Sequence, residues 1–280
     1  MNKIISKKQL SGEVFRMEVE APLIARERRA GQFIILQATD DYGERIPLTI
    51  ADADPARGSI TLIFQTVGRT THLLAEKEVG DEIPALLGPL GRPTHIEKHG
   101  RVVCVGGGIG VAPMHPIAQA FKAAGNRVTI IMGARNKSLL IMEDEMRGIA
   151  DDLILVTDDG SYGRKGLVTE PLKELCEAPV KPDLCIVIGP PVMMKFCALT
   201  TKPFNVPTLV SLNSIMVDGT GMCGGCRVSV GGKTKFVCVD GPEFDGHQVD
   251  WDNMIKRLGA YKLREKSDHD AHHCRMEGMK

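Results

Sequence analysis

The sequence predicts a β-barrel domain, a doubly wound α/β domain and a small carboxy-terminal module. Three observations support this division. Residues 1–96 hold short β-type runs separated by turn residues, residues 97–211 alternate apolar strands with helical segments, and residues 212–250 concentrate glycine and cysteine. Residues 251–280 are expected to be a polar carboxy-terminal tail. A chain of 280 residues is long enough for about two domains with cores of their own.

The first 96 residues are rich in Val, Ile, Thr and Phe. Turn chemistry interrupts them at regular intervals, for example at Ala30-Gly31 and Val79-Gly80-Asp81. Short strands that are spaced this regularly are typical of a small closed barrel. Strands are predicted at 12–21, 32–39, 45–53, 59–67 and 82–87.

From about residue 100 the pattern changes to alternating strands and helices. An apolar run at 102–105 leads through a glycine-rich turn, 106–113, into a segment in which Ile117 and Phe121 recur at helical spacing until Gly125. Near-continuous apolar strands with helices between them indicate a doubly wound parallel sheet. Further strands are predicted at 128–132, 153–156, 184–188 and 208–210, and helices at 138–149, 170–177 and 192–199, with Thr169 as the cap of the second.

The glycine-rich turn 106–113 follows the first strand of this sheet. Ligands of such sheets bind at the carboxyl ends of the strands, where backbone N–H groups and a helix dipole hold a pyrophosphate. The turn is therefore a candidate phosphate site. A tight turn without a ligand is the alternative, since the spacing departs from Gly-x-Gly-x-x-Gly.

The third part carries the spacing of an iron-sulfur site. Asp218, Cys223 and Cys226 are followed at a distance by Cys238, which gives ligand-x4-ligand-x2-ligand and a distant fourth, the plant-type [2Fe-2S] pattern. Asp218 is a hard oxygen donor in a place that usually holds thiolate, and Cys274 is the rival fourth ligand. Asp218 is favoured because Cys274 lies in the polar tail. A zinc knuckle is the other alternative, although its second ligand pair is missing.

Composition narrows the remaining function classes. Lysine plus arginine equal aspartate plus glutamate at 35 each, so no global field attracts nucleic acid or an anionic membrane. The amino terminus is too polar for a secretory signal, and no apolar run reaches the ~18 residues of a membrane span. We expect a cytoplasmic redox protein without a nucleic-acid or membrane partner.

The order of the three parts resembles the ferredoxin-NADP reductase superfamily. The motif Val-Gly-Gly-Gly-Ile-Gly-Val-Ala-Pro at 105–113 and the ligand pattern in 218–238 carry the resemblance, which covers residues 1 to about 245. More closely, the chain is similar to small flavin subunits with a carboxy-terminal [2Fe-2S] cluster. That group includes the electron-transfer subunit of dihydroorotate dehydrogenase and the small subunit of NADH-dependent reduced ferredoxin:NADP oxidoreductase.

This resemblance implies FAD in the barrel. The segment Arg45-Ile-Pro-Leu-Thr49 is similar to an Arg-x-aromatic-Ser/Thr flavin motif, with Leu48 in the place of the aromatic ring. The segment 66–71 resembles a second phosphate loop, in which Gly68 allows close approach and hydroxyl groups bind phosphate oxygen. The implied FAD-binding residues are Arg45, Pro47, Leu48, Thr49, Thr66, Val67, Gly68, Thr70 and Thr71.

The same resemblance implies a site for NAD(H) or NADP(H) in the α/β domain. Arg135 and Lys137 are placed to meet a 2′-phosphate or are a solvated strand end, and the resemblance favours NADH. The acidic pair Asp158-Asp159 has an equally simple interpretation as a turn. The implied residues are Gly107, Gly108, Ile109, Gly110, Ala112, Pro113, Gly133, Ala134, Arg135, Asp158, Asp159, Gly160, Gly189, Pro190 and Pro191.

The implied activity is electron transfer. A nicotinamide gives two electrons as hydride and an iron-sulfur cluster takes one, so FAD is expected between them, and no catalytic acid, base or nucleophile is nominated. A ligand set of one aspartate and three cysteines resembles an electron-bifurcating NADH/ferredoxin:NADP oxidoreductase, with ferredoxin reached through a larger flavin and iron-sulfur subunit. Dihydroorotate dehydrogenase, expected to use four cysteines, is the first alternative. A non-catalytic nucleotide-binding module stapled by zinc is the second.

Overall fold

The computed structural model describes residues 2–39 and 43–261. Cys274 and the histidine-rich segment 268–274 lie outside the described residues. The barrel consists of β1 (Asn2–Ser11), β2 (Val14–Glu20), α1 (Pro22–Glu27), β3 (Phe33–Gln37), β4 (Arg45–Asp54), β5 (Ser59–Gln65), α2 (Arg69–Glu76), β6 (Glu82–Ile83) and β7 (Ala85–Leu90).

The barrel is antiparallel and nearly closed. Its strands follow the order β6-β1-β2-β5-β4-β3-β7. Strands β6 and β7 belong to one run of chain, which pairs with β1 through Asn2–Ile83 and with β3 through Gln37–Ala85. The same run therefore joins both edges, and the predicted barrel is confirmed. Strand β1 was not predicted, because Lys7-Lys8 and the polar residues around them interrupt the alternation of apolar and polar residues that indicates a strand.

The α/β domain consists of β8 (Arg101–Gly107), α3 (Val111–Ala123), β9 (Arg127–Ala134), α4 (Glu143–Ile149), β10 (Asp152–Thr157), β11 (Arg164–Lys165), α5 (Thr169–Glu177), β12 (Leu184–Ile188), α6 (Pro191–Thr201) and β13 (Thr208–Ser211). These strands are parallel and follow the order β11-β10-β9-β8-β12-β13. From β8 the chain adds β9 and then β10 on one side of β8, and it later adds β12 on the opposite side of β8. The predicted doubly wound sheet is confirmed, and its direction changes between β8 and β12.

Two helices begin at other residues than predicted. The predicted helix 138–149 is a 3₁₀ turn, Lys137–Leu139, followed by α4, because Met142 has a left-handed φ of 58° that no α-helix accommodates. Thr169 was expected to cap α5, but it is the first residue of that helix, and no side chain caps its amino terminus. Gly125, with a φ of 80°, follows the end of α3 as predicted.

The third part is built from β14 (Arg227–Val230), β15 (Lys233–Phe236), α7 (Val237–Asp240), β16 (Glu243–Asp245) and α8 (Trp251–Leu258). Strands β14 and β15 form a hairpin. Strand β16 returns to the α/β sheet and pairs antiparallel with β13. Helix α8 replaces the start of the expected tail, and buries Trp251 and Met254. None of the described helices is long and apolar enough to cross a membrane.

The three parts share their cores. One cluster of buried residues contains Phe33 and Ile35 of the barrel, Val103 of the α/β sheet, and both Cys226 and Cys238. A second cluster covers the other face of the sheet and includes barrel residues such as Ala51 and Ile63, and a third fills the barrel interior. Two of the three predicted cysteine ligands, Cys226 and Cys238, therefore lie in a core that contains residues of the barrel and of the α/β sheet, whereas Cys223 is exposed.

Candidate cofactor sites

In the loop before β14, several neighbouring groups donate hydrogen bonds to the Asp218 carboxylate. The carboxylate accepts from the backbone of Met222 at 2.9 Å and of Cys223 at 3.2 Å, from the hydroxyl of Thr220 at 3.1 Å, and from the Cys223 thiol at 3.3 Å. Desolvation acts to raise the pKa of Asp218, but the hydrogen bonds from Cys223, Thr220 and Met222 outweigh it and lower the pKa to about 2. The group is thus an anionic oxygen donor at neutral pH, the form that ligates metal.

Cys226 and Cys238 form the second pair of the site. Their sulfur atoms lie 3.2 Å apart, and the backbone N–H of Cys238 donates to the sulfur of Cys226. The pKa of the Cys238 thiol is raised to about 12, mainly by burial and then by the hydrogen bond and charge of Cys226. A hydrogen bond from the backbone of Gly221 acts in the opposite direction but is weaker. The Asp218 carboxylate also raises this pKa electrostatically, so Asp218 lies close enough to Cys238 for their charges to interact.

Two pairs of ligands fit a two-iron cluster better than a single ion. In a [2Fe-2S] centre the protein supplies two ligands to each iron, whereas structural zinc gathers four ligands around one ion. Within residues 2–39 and 43–261 no three His, Cys, Asp or Glu side chains surround a single-ion position. Asp218 with Cys223 and Cys226 with Cys238 are thus two pairs of donors whose types and order agree with the predicted ligand pattern.

The ligand loop lies directly against the barrel. Gly219 has a φ of 73°, and a Cβ there would lie 2.6 Å from Cγ1 of Ile35 and 2.9 Å from Cδ1 of Leu90. Only glycine allows both this backbone conformation and this contact. The residue beside Asp218 therefore touches β3 and β7, which places the ligand set next to the barrel.

The two predicted FAD segments meet at one end of the barrel. Arg45, Pro47, Leu48 and Thr49 lie in β4, with Arg45 exposed and Leu48 in contact with the barrel core. Glu44, just before them, accepts a hydrogen bond of 2.6 Å from Thr70. This contact ties the start of β4 to the start of α2, so Arg45 lies near a helix amino terminus, an arrangement suited to a pyrophosphate.

The hydroxyl groups of the second segment already have partners. Thr66 donates to the carbonyl of Glu13 and Thr71 to that of Gly68, while Thr71 also accepts from the backbone of Val67 and Gly68. The predicted hydroxyl contacts to phosphate therefore find these hydroxyls engaged within the protein. The free donors are the first backbone N–H groups of α2, which have no partner within the helix.

The predicted nicotinamide residues surround the crevice between β8 and β12. Gly107 ends β8, Gly108–Gly110 is a 3₁₀ turn, and Ala112 and Pro113 lie in the first turn of α3. A Cβ on Gly110 would collide with the carbonyl oxygen of Ile188, the last residue of β12. The segment Gly189, Pro190 and Pro191 continues from there into α6. The first and last predicted segments thus share the crevice at which the sheet changes direction.

The other two nicotinamide segments lie at the next strands of the same edge. Gly133 and Ala134 end β9, and the backbone of Asp158 and Asp159 donates to the carbonyls of Ala134 and Arg135. Asp159 accepts from the backbone of Ser161, so its carboxylate closes the turn in which Gly160 lies. The interpretation of Asp158-Asp159 as a turn accounts for this geometry.

Two groups near the cluster loop were missed in the sequence. Arg257 of α8 donates to the carbonyl of Gly225 at 3.1 Å, between two of the cysteines. Its signal was available, since Trp251, Met254 and Leu258 recur at helical spacing after Asp250, which caps the helix through Asn253. Glu243 is the second: burial raises its pKa to about 7, against the opposing hydrogen bond from Thr94. No local pattern indicates its burial, because β16 pairs with a distant strand.

A cavity of about 610 Å³ lies beside the ligand loop. Among the described residues that line it are Cys223, Arg227, Arg257 and, from the barrel, Glu44. The cavity thus borders both the exposed Cys223 and Glu44, the residue just before the first predicted FAD segment.

Comparison with protein families gives two matches. Residues 104–198 match the oxidoreductase NAD-binding domain, and residues 213–250 match the iron-sulfur cluster binding domain of dihydroorotate dehydrogenase B. The first match contains the crevice between β8 and β12. The second contains Asp218, Cys223, Cys226 and Cys238, and ends just before α8.

Similar proteins cover nearly the whole chain. The dihydroorotate dehydrogenase B (NAD(+)) electron transfer subunit homolog of Thermotoga maritima is 49% identical over 96% of this chain and 95% of its own length. The electron transfer subunit from Desulforamulus reducens is 32% identical over 89% of this chain and 97% of its own. A solved structure of NADH-dependent reduced ferredoxin-NADP oxidoreductase, studied for flavin-based electron bifurcation, is 48% identical, with a TM-score of 0.91 over 97% of this chain and 98% of that one.

Proposed function

The chain belongs to the family of dihydroorotate dehydrogenase B electron-transfer subunits and their homologues, within the ferredoxin-NADP reductase superfamily, and on this premise we propose that it serves an electron-bifurcating NADH/ferredoxin:NADP oxidoreductase. In this proposal it is the smaller subunit, carries FAD and a [2Fe-2S] cluster, exchanges hydride with NAD(H), and passes single electrons to a larger flavin and iron-sulfur subunit. Ferredoxin is reached through that partner.

The pairing of Asp218 with Cys223 carries the proposal. A carboxylate held by five donors from its own loop, beside the Cys226–Cys238 pair, supports a cluster with one oxygen and three sulfur ligands. The 48% identity to the oxidoreductase studied for electron bifurcation supports the same choice. When bound, FAD and the cluster together convert two-electron nicotinamide chemistry into single-electron transfer.

The protein's own residues orient the carriers and exclude water. Arg45 and the amino terminus of α2 would hold the FAD pyrophosphate, and the crevice at Gly110 and Gly189 would hold that of the nicotinamide. Gly219 brings the ligand loop against Ile35 of the barrel. Because hydride transfer between stacked rings needs no acid or base, no proton-transfer residue is required.

We further propose NADH as the nucleotide. Lys137, one of the two cations that would meet a 2′-phosphate, lies 4.8 Å from the centre of the Tyr162 ring, where it is held by a cation–π contact. Arg135 is exposed at the end of β9. A single exposed arginine supports weak discrimination for NADP(H) at most.

Dihydroorotate dehydrogenase is the second candidate. It is favoured by the match of 213–250 to its iron-sulfur domain and by several electron transfer subunits of that enzyme at 31–33% identity. The partner distinguishes the two functions, since the bifurcating enzyme needs a larger subunit with its own flavin and [4Fe-4S] clusters, and dihydroorotate oxidation needs an FMN barrel.

Two measurements test the proposal. The purified chain is expected to contain two iron atoms and two labile sulfides, as a [2Fe-2S] cluster requires. It is also expected to contain one FAD, whose colour bleaches with NADH under anaerobic conditions because hydride transfer reduces the flavin. Zinc without flavin would refute the proposal in favour of a nucleotide-binding module. Affinity purification from the native cell is expected to recover a subunit with [4Fe-4S] clusters, whereas recovery of an FMN barrel would assign the chain to dihydroorotate oxidation.

A further inference from the structure

Two arginines donate hydrogen bonds to the turn between the two cysteines of the ligand loop. Arg227 of β14 donates to the carbonyl of Gly224 at 3.0 Å, and Arg257 of α8 donates to the carbonyl of Gly225 at 3.1 Å. These two carbonyls belong to the Gly-Gly pair that separates Cys223 from Cys226. Both guanidinium groups line the cavity that also contains Cys223. The turn is thus held from two elements that are distant in sequence.

The charges of these arginines are not neutralised locally. Neither Arg227 nor Arg257 forms an ion pair with a carboxylate in the part of the chain that the structure describes. Other arginines of the protein do, for example Arg164 with Glu174 and Arg92 with Asp240. Two cations without a carboxylate partner therefore face the ligand loop, Arg257 half-buried and Arg227 exposed. Solvent and salt screen the half-buried charge less than the exposed one.

We propose that Arg227 and Arg257 are positioning residues that fix the Cys223–Cys226 turn and set the reduction potential of the cluster. This inference rests on the proposed [2Fe-2S] site. A cluster with four anionic ligands is negatively charged and gains a further negative charge on reduction. Nearby positive charge stabilises the reduced state more than the oxidised state, and so raises the potential. Helix α8 is then part of the redox site, although it lies outside the matched iron-sulfur domain, 213–250.

The test is an anaerobic redox titration of the cluster, followed by EPR, in the full-length protein. Arg257→Gln removes the charge but keeps a hydrogen-bond donor, and the ratio of reduced to oxidised cluster at a fixed applied potential is expected to fall about tenfold, which is 59 mV for a one-electron couple. Arg227→Gln is expected to act in the same direction, and the double variant to approach the sum. Lys256→Gln is the matched control, because it removes the same charge from the adjacent, exposed position of α8.

An unchanged potential in Arg257→Gln, or an equal shift in Lys256→Gln, would overturn the inference. If Arg257→Gln assembles no cluster, Arg257→Lys is measured instead. This variant keeps the charge, so it is expected to hold a cluster near the wild-type reduction potential. A potential as low as that expected for loss of the charge would contradict the role of Arg257. Iron and labile sulfide in the wild-type protein are measured first. Their absence refutes the proposed function, whereas a normal wild-type cluster with no response to either arginine refutes this inference alone.

Discussion

Asp218, the proposed oxygen ligand, is ionised and held in place by its own loop. Its carboxylate is ionised and oriented by donors from Thr220, Met222 and Cys223, so binding requires little rearrangement of the loop. The cysteines differ, since Cys238 is buried with a raised pKa and must lose its proton to the metal. The four proposed ligands are thus unequal in both donor type and protonation.

Substitution at Asp218 tests this difference. Asp218→Cys is expected to keep a [2Fe-2S] spectrum with a shifted potential, because thiolate is a softer donor than carboxylate. Asp218→Ala is expected to lose or loosen the cluster, which iron and labile-sulfide analysis would measure. The exposed Asp252→Ala serves as a control. An alanine variant at 218 with unchanged cluster content and potential would show that Asp218 is not a ligand.

Glu243 makes stability depend on pH. Burial raises its pKa to about 7 in the folded protein, while the hydrogen bond from Thr94 partly opposes this. The folded state therefore holds a proton that the unfolded state has released between about pH 4.5 and 7. Over that range stability falls as pH rises, and the loss persists above pH 7.

Glu243→Gln is expected to remove this loss. The amide keeps an acceptor for Thr94 and carries no charge, so at pH 8 it is expected to stabilise the protein by roughly 3 kcal/mol, with a much smaller effect at pH 5. Thermal unfolding at both pH values measures the difference. The exposed Glu82→Gln is the control, and an equal gain from Glu243→Gln at both pH values would contradict the argument.

At the scale of elements, the crevice between β8 and β12 depends on close approach. The turn that enters α3 touches the end of β12 at Gly110, where a side chain would meet the carbonyl of Ile188. The crevice can therefore be opened by one methyl group without altering any polar side chain.

Gly110→Ala is expected to weaken NAD⁺ binding about tenfold or more. The added carbon displaces α3 from β12 at a cost of about 1–3 kcal/mol, and the pyrophosphate donors move with the helix. Equilibrium binding of NAD⁺ measures the change. Gly148→Ala is the control, since a Cβ there meets nothing within 4 Å and sits in α4. Unchanged binding in Gly110→Ala would show that the crevice does not hold the nucleotide.

Helices and strands could be predicted where apolar residues recur at the spacing of a helix or a strand. The apolar strands of the parallel sheet and the helix before Gly125 follow from composition and period, and β12 was predicted at its observed bounds. Strand β1 was not, because its polar residues become strand only by pairing with β2 and β6. Helix α2 was not predicted: segment 66–71 was expected to be a phosphate loop, and its last three residues are the first turn of the helix, where Thr71 accepts from the backbone of Gly68.

At the scale of the whole molecule, the sites form where separate parts meet. His115 of α3 contacts the carbonyl of Ala51 in β4, Thr94 binds Glu243, and Gly219 packs on the barrel. The ligand spacing and the glycine turn are local and could be read from the sequence. The helix that carries Arg257 was also readable from its period, but the contact of Arg257 with Gly225 and the burial of Glu243 were not, because both depend on residues distant in the sequence.

Truncation separates the described site from the rest of the chain. Because Asp218 is the proposed fourth ligand, a chain that ends at Tyr261 is expected to keep wild-type iron and labile sulfide and to reduce ferricyanide with NADH. Cys274→Ser in the full-length chain is the matched control and is expected to behave in the same way. Loss of the cluster in both would transfer the role of fourth ligand to Cys274. A chain that ends at residue 250 is expected to fail, since it lacks Arg257 and the buried Trp251, whose removal costs about 3–5 kcal/mol in a packed core. The contrast between the two end points would place the boundary of the redox unit after α8.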